Sequence, residues 1–221
     1  MSRRNGPSVS VRELSIPARA ANAYKKGLVR LAKNDVAGSL VHLQRATSEF
    51  QGFYEAYFFM GLAQLDLGHE EEAQQALQKS IDASGGHYAQ PFFAMSMLLC
   101  SQRKYAQAEP IIRRALELTP DWRPGELVLA WVLFGLKRVA QAERIDREVL
   151  VQEPTLAAAH LLLSDIYNHR NDYSAALSEL DAYLELKPDG ALSEQVRGIE
   201  KSLKQRLANS TVVVEAARTK P

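Results

Sequence analysis

Pro120, Pro154 and Pro188 fall 34 residues apart, each behind a run that reads as helix. The runs are Ala-Leu-Glu-Leu-Thr, Val-Leu-Val-Gln-Glu and Tyr-Leu-Glu-Leu-Lys. Small residues keep the same beat: Ala108, Ala142 and Ala176 are again 34 apart, and so are Gly27 and Gly61. Ala73 precedes Ala108 by 35, and the added residue falls in Ser84-Gly85-Gly86-His87. Three independent markers in one period mean one supersecondary unit stacked about five times.

Each marker has a mechanical reason. Two antiparallel helices approach closely only where small residues meet. The eighth positions are Gly27, Gly61, Ser96, Ala130 and Ser164; the twentieth are Ser39, Ala73, Ala108, Ala142 and Ala176. A proline past the second helix cannot continue it and sets its exit. Tyr105 and Tyr173 stand three residues before the small twentieth residue and suit the turn between helices.

These residues resemble the tetratricopeptide repeat (TPR) family, of bacterial type, with its pattern W-x2-L-G-x2-Y, then A-x3-F, then P. The resemblance runs from about Ala20 to Pro188 and departs in two places. The fourth position, often Trp, is Ala23, Tyr57, Phe92, Glu126 and His160. The closing proline is replaced by Gln51 and Gly85 in the first two repeats. The resemblance implies an all-α, right-handed superhelical solenoid. Its repeats are expected near 20–53, 54–88, 89–122, 123–156 and 157–190, in an array over 17–190.

The ends read differently. Leu192, Val196, Ile199, Leu203 and Leu207 form one apolar stripe at helical spacing. They predict a capping helix over 191–208, with a disordered tail over 209–221. Residues 1–16 are partly alternating and β-branched, and predict an extended arm. Ser15 is placed to cap the first helix, with Pro17 in its first turn.

Composition excludes several classes. The 27 Lys and Arg balance 26 Asp and Glu, so no basic face for nucleic acid is expected. The single cysteine, Cys100, cannot form an internal disulfide. No apolar run has the length of a membrane span. The first residues are basic without an apolar h-region, so the expected location is cytoplasmic. A start upstream of Met1 would leave a periplasmic or exported location open.

Chemistry-bearing motifs are missing: there is no phosphate-loop, dinucleotide, zinc-protease or nucleophile-elbow pattern. No catalytic residue, metal or cofactor is expected, and the chain reads as a non-enzyme. Cys100, in Met-Leu-Leu-Cys-Ser, has no base nearby and reads as packing. Asp165 and His169 share a helix face. Zinc normally takes more His or Cys, and they read as a polar patch. Pro110 lies near the start of a second helix and reads as structural.

In the family the fifth, ninth and twelfth positions of each first helix face a concave groove. Carried over, that implies a partner-binding groove of Tyr24, Phe58, Leu62, Phe93, Met97, Leu127, Trp131 and Phe134. Leu28, Leu31, Leu65, Cys100 and Leu161 stand at the same positions, and Asp165 and Asn168 make the fifth repeat polar. The lining is apolar and aromatic, suited to an apolar or amphipathic segment. The family's clamp for a chaperone C-terminus needs Lys, Asn and Arg. Here those positions hold Tyr24, Leu28, Phe59, Gln90 and Ala94. The expected function is a protein–protein scaffold or adaptor. The alternatives are a secretion-type chaperone shielding an apolar client, or a module regulating an enzyme or assembly. The arm, with Val9, Val11, Leu14 and Ile16, is a rival occupant of the groove.

Overall fold

The computed structural model describes residues 16–218, with side chains described as far as residue 209. Among the described residues the chain is all α, with eleven helices and no strand. It divides into two compact units, Met1–Pro120 and Asp121–Pro221.

The first unit holds three antiparallel pairs. They are α1 (Ala18–Ala32) with α2 (Val36–Glu49), α3 (Tyr54–Asp66) with α4 (Glu70–Ala83), and α5 (Ala89–Ser101) with α6 (Tyr105–Leu118). The second unit holds α7 (Arg123–Gly135) with α8 (Val139–Gln152), α9 (Ala157–His169) with α10 (Tyr173–Leu186), and a last helix, α11 (Ser193–Arg218).

One turn is used five times. Asn34, Gly68, Arg103, Lys137 and Asn171 all take left-handed φ, between 57° and 77°. Each ends the first helix of its pair. The next amide in each case reaches back over a full turn: Asp35 to Arg30, His69 to Gln64, Lys104 to Leu99, Arg138 to Leu133, and Asp172 to Tyr167, at 2.8–2.9 Å. This is the Schellman closure. It satisfies the orphan carbonyls of one helix while reversing the chain into the next. Asp35 and Asp172 then accept from the amides of Gly38 and Ala175 and cap the helix that follows.

The small residues sit inside each pair. Ser39, Ala73, Ala108, Ala142 and Ala176 are fully buried, as are Ser96 and Ala130. Pro110 lies within α6, which runs uninterrupted through it; only the bond its missing N–H would have made is lost.

At the start, Pro17 rather than Ser15 is the N-cap of α1, with no side-chain cap bond. Pro17 holds extended ψ and its carbonyl takes the Ala21 amide at 3.0 Å. Ser15 and the rest of the expected arm up to residue 15 lie outside the described residues. Ile16 packs against the first repeat's core, as do Tyr24, Leu31 and Phe59.

The last helix departs from the expected stripe and length. Val196 and Leu203 are buried, while Leu192 and Ile199 are exposed. One seam seven residues apart is enough to close the last pair. The helix also runs on to Arg218, into the expected disordered tail. No proline falls within Ser193–Arg218, so none breaks the helix there.

Candidate functional site

The first helices carry the expected groove residues, and the two units treat them differently. In the Met1–Pro120 unit, Tyr24, Phe58, Leu62 and Phe93 are half-buried, and Met97 is 48% exposed. They stand on α1, α3 and α5 at equivalent points of the repeat.

Aromatic rings link the first two repeats. Tyr24 lies 4.7 Å from Phe53 and 6.0 Å from Phe59, Phe59 lies 5.3 Å from Phe58, and Phe58 meets Tyr88 edge-on at 5.5 Å. Tyr88 in turn meets Tyr54 in a tilted contact at 4.9 Å. Burial pushes the Tyr24 phenol up to about 12, with Glu55 adding to the effect. Tyr24 is thus partly core and partly surface. Phe59, Tyr54 and Tyr88 were missed from sequence. The available signals were the Phe58-Phe59 doublet and the 34-residue spacing of the two tyrosines.

In the Asp121–Pro221 unit the lining is more closed. Leu127 is only 5% exposed, so it belongs to the packed interior and not to an open surface. Leu127, Val128, Leu129 and Ala130 are all buried. Four consecutive buried residues cover a whole helical turn and leave it no free face. Trp131 is half-buried. Phe134, also half-buried, meets the His169 ring edge-on at 6.0 Å.

Burial pushes the Cys100 thiol up to about 11, so it stays protonated at neutral pH. Asp165 and His169 are exposed. Among the described residues no three His, Cys, Asp or Glu stand close enough to hold one metal ion. Nor is any described helix long and apolar enough to cross a membrane.

A second polar feature lies in the Asp121–Pro221 unit. Asp146 of α8 is fully buried, and among the described residues neither carboxyl oxygen has a hydrogen-bond partner. Nearby, His160 of α9 and Glu179 of α10 are joined at 2.7 Å. Arg147 donates to the Tyr167 hydroxyl, and its guanidinium lies 5.8 Å from that ring's centre. Asp146 went unnoticed in the sequence, although the 34-residue beat shows it.

Stacked helix pairs of this kind define a helical-repeat interaction protein, typically a non-catalytic module that binds protein partners. TPR family models match residues 54–87 and 127–191, and the chain is a tetratricopeptide-repeat protein. Protein O-mannosyl-transferase TMTC1 of Homo sapiens is 26% identical over 129 residues, which is 58% of this chain. Protein O-mannosyl-transferase Tmtc3 of Drosophila melanogaster is 30% identical over 86 residues, 38% of this chain. The matched stretches span 14% and 9% of the lengths of those relatives.

Solved structures share the fold. YrrB, described as a TPR protein with an unusual peptide-binding site, superposes with a TM-score of 0.64 at 19% identity, over 85% of this chain and 95% of its own. TTC0263, a thermophilic TPR protein of Thermus thermophilus, gives 0.66 at 20% identity, over 84% and 99%. PilF of Pseudomonas aeruginosa gives 0.67 at 17%, over 86% and 91%.

Proposed function

We propose that the chain is a scaffold that takes an apolar segment of a partner protein on the first-helix face of its Met1–Pro120 unit. The observation that supports this is the row Phe58, Leu62, Phe93 and Met97, apolar yet incompletely covered, with Met97 48% exposed. A repeat core does not need these side chains at the surface. An apolar row left partly open marks a contact site. Met and Phe also adapt to varied ligands at low cost. The peptide-binding site ascribed to YrrB is consistent with a peptide partner for this fold.

The test is peptide selection against the full chain, followed by titration of the selected peptides. Apolar peptides are expected. Met97→Glu and Leu62→Glu should each weaken them at least tenfold, about 1.4 kcal/mol or more, with thermal unfolding of Met97→Glu unchanged. Selected peptides that bind both variants as tightly as the parent chain would overturn the reading.

A further inference from the structure

The repeat has a plug. Four residues after the small twentieth position stand Leu43, Leu77, Ile112, Asp146 and Leu180. All five are closed off from solvent, none more than 2% exposed. In the first two pairs the plug's seat is visible. A Cβ on Gly27 would stand 2.8 Å from Leu43, and one on Gly61 2.7 Å from Leu77. The position fills the space between the two helices of a pair. Four repeats fill it with an aliphatic side chain, and the fourth in chain order fills it with a carboxyl.

That carboxyl is not satisfied by its neighbours. Both oxygens of Asp146 are buried without a hydrogen-bond partner among the described residues. The nearby charges are already committed. On α8 itself, Glu143 is held by Arg147 and by Arg170, and Arg144 by Glu148. On α7, Arg123 holds Glu126 at 2.5 Å. On α9, His160 is held by Glu179 of α10; Asp165 and His169 of the same helix are exposed. On α10, Asp172 caps its own helix, and Asp181 and Glu185 are exposed. An ionised carboxylate in such a place is expelled or neutralised. Burial, with Glu179 adding to it, pushes Asp146 up to about 8.

We propose that Asp146 makes the α7–α8 pair a proton-controlled opening point: protonated, it plugs the pair as its aliphatic counterparts do, and on losing the proton it drives the two helices apart. The device is local to one repeat, because only that repeat carries an acid at the plug. It is independent of whether the first-helix face of the other unit binds a partner.

Hydrogen exchange on the full chain, read segment by segment, tests this for the parent, Asp146→Asn and Asp146→Leu at several values between pH 6 and 8. Comparing the three at each pH cancels the intrinsic pH dependence of exchange. In the parent, the opening constant of residues 123–152 should rise up to about tenfold per pH unit relative to either variant, since one proton is released. Both variants should show a constant ratio to each other, and Asp146→Leu the stronger protection. If Asp146→Leu does not fold, the comparison with Asp146→Asn carries the test. A parent-to-Asn ratio that does not change with pH overturns the proposal. So does a rise shared equally by α9 and α10, which would mean a loss of overall stability and not a local opening.

Discussion

Gly61 of α3 sits against Leu77 of α4, so closely that a Cβ on the glycine would stand 2.7 Å from the leucine Cγ and Cδ2. Leu77 is fully buried, so it has no room to swing away. The glycine is there for the approach of two helices, not for a turn. Gly61→Ala gains helix propensity, worth about 1 kcal/mol. It also forces a repacking that costs about 1–3 kcal/mol. A net loss of up to about 2 kcal/mol is expected in urea unfolding, and a gain in stability would show that the pair is not closed at this point.

Asp146→Leu should act in the opposite direction and depend on pH. The unfolded carboxyl titrates near 3.9, and the folded one is raised to about 8. Between those values the folded state holds the proton more often, so stability falls as pH rises. Each pH unit of that window is worth about 1.4 kcal/mol. The stability gained by Asp146→Leu should therefore be about 3 kcal/mol larger at pH 7.5 than at pH 5. Equal gains at both would mean that the carboxyl does not titrate there.

Lys137 and Arg103 end their helices in left-handed backbone, at φ 64° and 57°. Side chains other than Gly or Asn carry a steric cost there of about 1 kcal/mol. The second repeat already uses Gly68 at this point, and the first and fifth use asparagine. Lys137→Gly and Arg103→Gly should each stabilise by about 0.5–1 kcal/mol, read as a rise in melting temperature. A fall for either would mean that its side chain holds the turn by contacts stronger than the strain.

Cys100 should be a poor nucleophile. A free thiol near 8.5 is partly thiolate at pH 8, whereas one raised to about 11 is not. Alkylation at pH 8 should be roughly two orders of magnitude slower than for an unfolded control, with the difference vanishing in denaturant. Reaction at the control rate would require a cation near the sulfur.

The repeat was legible because its causes are local and recur. Proline stops a helix wherever it stands, and small residues mark where two helices meet. The beat of Pro120, Pro154 and Pro188 therefore carries the helix-pair architecture without any tertiary information. Exposure is another matter. Leu127 and Phe93 occupy the same point of the repeat, yet one is sealed and the other half-covered. Register places a side chain on a face, but only the packing of whole helices decides whether that face stays open. The run Leu127 to Ala130 is closed around its full turn for that reason. Asp146 shows both sides: its place in the plug row is written in the sequence, and what only the tertiary structure decided is that neither of its oxygens finds a partner there among the described residues.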